Sequence, residues 1–267
     1  MELIGYLASI LIGVSLGLIG SGGSILTVPL LVYLFQVSPL LATTYSLAIV
    51  GLSSIAGVIS RLKQRLVDFK TIFIFGIPSI IGVFSSRKFL LPAIPELIYD
   101  GPVILVTKNH FIMLFFATLM LIAALSMILG KNKEEEEEAL PIYGFTLMLV
   151  GFAEGLLTGI VGAGGGFLII PALVILAKLS MKKAIATSLV IISIKSLVGF
   201  SGDLLNTAVD WSFLSKIILL ATLGIITGNY LNKKIDGTRL KKGFGYFVLA
   251  MSLIIFIEQF FFSNLIN

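Results

Sequence analysis

The chain of 267 residues has no cysteine, one histidine and one tryptophan, and only 12% of its residues are charged. Without a thiol there is no disulfide, no thiolate metal site and no cysteine-based sulfur relay. One histidine, His110, excludes a histidine-rich metal centre. The sequence therefore calls for no metal and no cofactor. The shortage of charge says more. A soluble domain carries about 25% charged residues, and half of that cannot cover a water-facing surface. Period-two alternation is also lacking, which excludes a porin-like barrel. No basic stretch studded with aromatics is present, so nucleic acid is not a partner. The net charge of +5 sits in short loops between apolar runs and reads as a topology signal.

Hydrophobic residues make up 57% of the chain and the mean hydropathy is +1.09. They fall in long runs, so the solvent is the lipid bilayer and the spans are helices. The opening MELIGYLASILIGVSLGLIG lacks the basic start of a signal peptide and reads as a retained membrane segment.

The chain also repeats itself. GLIGSGGSILTVPLLV at 17–32 returns as GIVGAGGGFLIIPALV at 159–174, and the match runs on without a gap to 57 and 199. Gly17/Gly159, Gly20/Gly162, Gly22/Gly164, Gly23/Gly165 and Pro29/Pro171 stand in register. The same offset pairs Val67-Asp68 with Val209-Asp210. Shared greasiness would match leucines, not glycines, a proline and an aspartate. An internal repeat in so apolar a chain is a frequent mark of a membrane transporter.

Apolar segments lie at 3–19, 25–36, 40–60, 71–90, 111–130, 142–160, 167–178, 183–203, 212–231 and 244–262, five to each half. The second of each five follows a glycine-rich break. At about 1.5 Å per residue it is too short for a hydrocarbon core of about 30 Å. Each half therefore opens with a broken or re-entrant pair and continues with three full spans. Equivalent loops swap basic character. Arg61, Lys63, Arg65 and Lys70 follow the third segment of half one, where 202–211 carries no Lys or Arg. Lys178, Lys182 and Lys183 have no basic partner at 36–39. The loop 232–243 adds Lys233, Lys234, Arg239, Lys241 and Lys242.

By the positive-inside rule the halves are oppositely oriented, with both termini outside. The expected fold is an all-α polytopic membrane bundle of about 8–10 transmembrane or re-entrant helices built from two inverted repeats. The first repeat covers 1–130 and the second 141–267, joined by an acidic cytoplasmic linker at 131–140 that contains KNKEEEEE. Residues 91–108, with Pro92, Pro95 and Asp100-Gly101-Pro102, have no equal-length counterpart and read as an external hairpin insertion. Arg87, Lys88 and Lys108 then fall outside, against the rule.

Two readings of the glycine clusters stay open. Small residues let helices approach closely, as at Gly13/Gly17 and Gly155/Gly159. Alternatively, the breaks at Gly20-Ser21-Gly22-Gly23-Ser24 and Gly162-Ala163-Gly164-Gly165-Gly166 expose the first N–H groups of the short helices as an anion cradle. Ser21, Ser24 and Thr27 would add hydroxyls. A loose dinucleotide fingerprint at 162–166 lacks the soluble βαβ context. A serine protease at Ser21 lacks a base.

Lys195 and Glu154 lie mid-segment, and an ionisable residue inside a span marks a role by default. They form either a structural ion pair, or an anion-attracting cation and a proton-coupling carboxylate. Thr43, Thr44, Ser46, Thr187 and Ser188 either bond back to their own helices or bind substrate. Asp68 and Asp210 are read as helix N-caps. Candidate substrate-binding residues are thus Ser21, Gly22, Gly23, Ser24, Ser46, Gly164, Gly165, Gly166, Ser188 and Lys195, with Glu154 for proton coupling.

The duplicated G-x-x-G-x-G-G-x-x-L-x-x-P elements at Gly17–Pro29 and Gly159–Pro171 are each followed by A-x-x-x-S-L, at Ala42–Leu47 and Ala184–Leu189. These pieces, over nearly the whole chain, resemble the TauE/SafE family of sulfite exporters. The resemblance implies a multi-pass permease of the cell membrane for small, mostly sulfur-containing anions, driven by an ion gradient. The expected function is a secondary transporter working by alternating access, with a passive anion channel as the alternative, and no enzyme. Its expected partners are a small anion and the lipid bilayer, with a homo-oligomer left open.

Overall fold

The computed structural model describes residues 2–100, 105–129, 144–204, 207–232 and 237–259. It is an all-α polytopic bundle. The helices are α1 Glu2–Ile19, α2 Thr27–Tyr33, α3 Pro39–Lys63, α4 Phe69–Ala93, α5 Lys108–Leu129, α6 Gly144–Val161, α7 Gly166–Ile175, α8 Met181–Asp203, α9 Trp211–Asn232 and α10 Gly237–Ile257. Among the described residues, six of these (α3, α4, α5, α6, α8 and α9) are long and apolar enough to cross a membrane. Leu7, Leu11, Phe73, Ile81, Leu219 and Leu223 are exposed on helix surfaces, a burden for a soluble protein and the expected face toward lipid.

Local chemistry sets the boundaries. Ser38 and Ser180 are extended immediately before α3 and α8, and Pro39 fills the first position of α3, where no N–H is needed. Asp68 accepts from the Thr71 N–H at 3.3 Å, and Asp210 from the Phe213 N–H at 3.0 Å, so both aspartates cap α4 and α9. Helix α4 widens into π-type turns at Ile72–Gly76 and Ser86–Leu90. Pro78 and Pro92 follow these turns. Each lacks an N–H and crowds the carbonyl four residues back, a strain that a wider turn relieves.

The insertion forms an antiparallel pair, β1 Leu97–Asp100 and β2 Leu105–Thr107. Its turn at 101–104 lies outside the described residues, as do the acidic linker and Lys233 and Lys234.

The halves interlock reciprocally. Helix α1 packs on α9, and its counterpart α6 packs on α4. A Cβ on Gly13 would strike the Ala221 carbonyl, and one on Gly155 the Ser79 carbonyl. Glycines allow these backbone approaches, so the packing reading holds for this pair. The Asp68 N–H donates to Thr187 Oγ1 at 3.0 Å, and the Asp210 N–H to Tyr45 Oη at 2.8 Å. Helices α3 and α8, the most enclosed spans, cross where Ser193 Oγ donates to the Gly51 carbonyl at 3.3 Å, between equivalent positions 142 residues apart.

Candidate substrate site

Both glycine clusters break their helices, but differently. After α1, Gly20 takes φ +72° and the chain winds as a tight 3-10 turn over Gly20–Leu26 before α2. After α6, Gly162, Gly164 and Gly165 take φ of +70°, +68° and +76°, and α7 begins at Gly166. Here only glycine avoids a left-handed penalty of about 1–2 kcal/mol. Helix α7, at 10 residues, would reach about 15 Å, half a membrane core.

The half-one break is thus wound rather than open. The Thr27 N–H bonds the Ser24 carbonyl within it. Gly23 rests on the backbone of α1 at Ser15 and Leu16. Ser24 and Thr27 are buried, and Thr27 Oγ1 has no partner among the described residues. The structure describes the backbone of Ser21 and Gly22 but not the Ser21 side chain.

The half-two break covers a fully buried ion pair. Lys195 Nζ lies 2.5 Å from Glu154 Oε1, with 1% and 4% of the two side chains exposed. Lys195 also donates to Thr158 Oγ1 at 3.1 Å and Ser79 Oγ at 3.5 Å, and Ser79 donates to Glu154 Oε2 at 2.6 Å. A Cβ on Gly165 would stand 2.6 Å from Lys195 Nζ and against Glu154. Gly165 therefore lets the break close over the pair. Gly166 is buried beside it. Removing one partner of such a pair strands a charge at a cost of about 3–5 kcal/mol, although the intact pair adds little net stability. The equivalent positions are Ile12, Leu16 and Ser53 in half one and Ala221 in half two, with no charge among them.

The hydroxyl candidates divide. Ser188 donates to the Ile185 carbonyl at 3.0 Å and Thr43 to the Leu40 carbonyl at 2.7 Å, which is bonding back to the helix. Thr187 accepts from Asp68, as above. Ser46 is buried and its Oγ has no partner among the described residues. The same holds for Ser54 and Ser196, equivalent residues of α3 and α8 that sequence reading passed over. The Ser196 Oγ lies 3.2 Å from where a Gly164 Cβ would stand. Buried hydroxyls without partners are uncommon and call for a reason.

One charge that the sequence reading did not single out is Arg87. It is buried inside α4, in the second π-type turn, with none of its side chain exposed. Its Nη1 donates to Asp203 Oδ2 at 2.9 Å and Thr43 Oγ1 at 3.0 Å, and Thr44 donates to the same Asp203 oxygen at 2.7 Å. Its Nη2 lies 2.5 Å from a Gly162 Cβ position. The criterion that flagged Lys195, an ionisable residue within an apolar segment, applied to Arg87 as well. Lys88 beside it and the segment's end at residue 90 hid it.

A protein-family model described as "Sulfite exporter TauE/SafE" matches residues 5–255. A "Probable membrane transporter protein" of Xylella fastidiosa strain 9a5c is 28% identical over 92% of this chain and 91% of that one. "Probable membrane transporter protein YunE" of Bacillus subtilis strain 168 is 27% identical over 82% of this chain and 84% of its own length. "Probable membrane transporter protein MJ0441" of Methanocaldococcus jannaschii is 28% identical over 71% and 69%. No solved structure matches the chain.

Proposed function

The chain belongs to the sulfite exporter TauE/SafE family, and on that footing we propose that it is a secondary transporter of a small sulfur-containing anion of the sulfite or sulfonate class. It works by alternating access in the cell membrane and makes or breaks no covalent bond in its substrate. The observation that carries this reading is the Lys195–Glu154 pair, fully buried within spans and sealed under a left-handed glycine break. A buried charge pair within the membrane is too costly for scaffolding that an uncharged pair, Ile12 and Ser53, provides in the other half. A proton arriving on Glu154 removes the carboxylate charge and frees the Lys195 ammonium for an anion. Ser196 at Gly164, the backbone of Gly165 and Gly166, and the hydroxyl of Ser46 complete the substrate shell. Gly22, Gly23, Ser21 and Ser24 form its half-one side. Loss of the proton restores the pair and expels the anion.

Two inverted repeats supply the alternation. The swapped loop charges and reciprocal helix contacts support that reading. The test is uptake into proteoliposomes of labelled sulfite, sulfate, thiosulfate and short sulfonates, with and without an imposed pH gradient. Saturable flux that follows the gradient is expected. Flux indifferent to the gradient and far above carrier turnover identifies a passive channel instead, and no flux of any probe refutes the proposal.

A further inference from the structure

We propose that Arg87 forms the floor of a second anion site, a vestibule that takes an oxyanion before it reaches the glycine break. A cavity of about 520 Å³ lies beside the hairpin end of α5, among α3, α4 and the end of α8, and is lined by Thr44, Arg87, Lys88, Lys108, Asp203 and Thr207 among others. Its wall carries three cations and one carboxylate, although Lys108 also reaches Glu96 at 3.4 Å. Arg87 is held from one side only, by Asp203 and Thr43 on Nη1, while Nε and Nη2 have no partner among the described residues. These two nitrogens form the side-on edge of the guanidinium, whose parallel N–H groups fit two oxygens of one oxyanion. Donors left empty on a fully buried cation are costly unless something fills them.

Gly162 lies against this edge. It has no side chain, and a Cβ there would sit 2.5 Å from Nη2. Arg87 thus stands between the cavity and the half-two break. The π-type turn that carries it is a form frequent at functional sites. The pseudo-symmetric counterpart of Arg87 is Asn229, so the site exists once. The ligand is a compact oxyanion with at least two oxygens on one centre, such as sulfite, sulfate or a sulfonate head. Only the vestibule's role in access rests on the transport proposal; binding itself does not.

Asp203 on Nη1 neutralises the Arg87 charge and repels an anion at the other edge, which gives the test a direction. Binding of sulfite and sulfate is measured by calorimetry on the full chain in nanodiscs. A Glu154→Gln/Lys195→Met background removes the other cation, and the same comparison is run in wild type. Asp203→Asn should tighten binding about tenfold, because Arg87 loses its carboxylate. Arg87→Gln/Asp203→Asn, which leaves no stranded charge, should weaken it at least about tenfold. Chloride, a sphere that cannot span both N–H groups, should bind at least about tenfold more weakly than sulfate. Unchanged affinity in the Arg87→Gln/Asp203→Asn protein, or weaker binding on Asp203→Asn alone, overturns the vestibule. Binding without flux would instead refute the transport reading and leave the vestibule standing.

Discussion

Lys195→Met and Glu154→Gln, alone and together, separate a working ion pair from a structural one. In the Lys195→Met protein, Glu154 Oε1 loses the ammonium at 2.5 Å and keeps only the Ser79 hydroxyl on its other oxygen. In the Glu154→Gln protein, Lys195 keeps Thr158 and Ser79 but no counter-charge. Each single change strands one charge among side chains almost wholly buried, at a cost of about 3–5 kcal/mol. The double variant strands none and keeps nearly the same volume, so its stability should return to within about 1 kcal/mol of wild type. The coupling between the two positions is then about 5 kcal/mol or more, roughly several thousandfold in the folding equilibrium. The fraction of detergent-purified protein that stays monodisperse after heating reads the stability, and proteoliposome uptake reads function. The proposed role requires the double variant to fold and yet to transport nothing along a pH gradient. Wild-type uptake by a folded double variant would reduce the pair to scaffolding. Wild-type stability of both single variants would refute the buried pairing itself.

Gly165→Leu should reach the membrane but not transport, because its Cβ would enter the ion pair at a left-handed φ of +76°. Gly23→Leu should fail likewise, its Cβ standing 2.5 Å from the Leu16 nitrogen; normal uptake by either variant removes that break from the site. Asp68→Ala should cost about 1 kcal/mol by removing the cap on Thr71. It should leave the anion affinity in uptake assays unchanged, and a shifted affinity would show that Asp68 does more than cap.

Among the described residues, ten helices stand close to the ten apolar segments read from the sequence; 183–203, for example, became Met181–Asp203. Hydrocarbon thickness fixes the length of an apolar run, and polar punctuation fixes its ends. The meeting of Lys195 and Glu154 was legible for a related reason: lipid offers two buried opposite charges few partners besides each other. Partner choice among helices was not legible. The spacing of Gly13 and Gly17 marks a face for close approach, but nothing in it says that the opposing backbone is Ala221 and Gly228 of the other half. Nor does the repeat announce that one break winds as a 3-10 turn while the other opens through three left-handed glycines. Gly20-Ser21-Gly22 and Gly162-Ala163-Gly164 are nearly the same string, so their difference arises from tertiary contacts. Ile185 lies over Gly20, where Thr43 and Arg87 lie over Gly162.

That contrast has a consequence for how the halves share work. Equivalent positions carry Ile185 and Thr43, Asn229 and Arg87, Arg61 and Asp203, Ile12 and Glu154, Ser53 and Lys195. The frame is therefore symmetric in its helix contacts and asymmetric in its charges. Reciprocal contacts let two arrangements of the same helices lie close in energy, which the proposed exchange between two access states requires. Four of the five charged members, Arg87, Asp203, Glu154 and Lys195, gather around the half-two break. A second full set at the half-one break would place another pair of ions in lipid and double the desolvation cost without adding a substrate. With the anion held in half two, as proposed above, a close-packed half one avoids that cost. On this reading, moving charge into half one by Ile12→Glu/Ser53→Lys should destabilise the protein and create no second uptake component. Saturable uptake with two distinct affinities in that variant would show that the wound break serves equally well as a site.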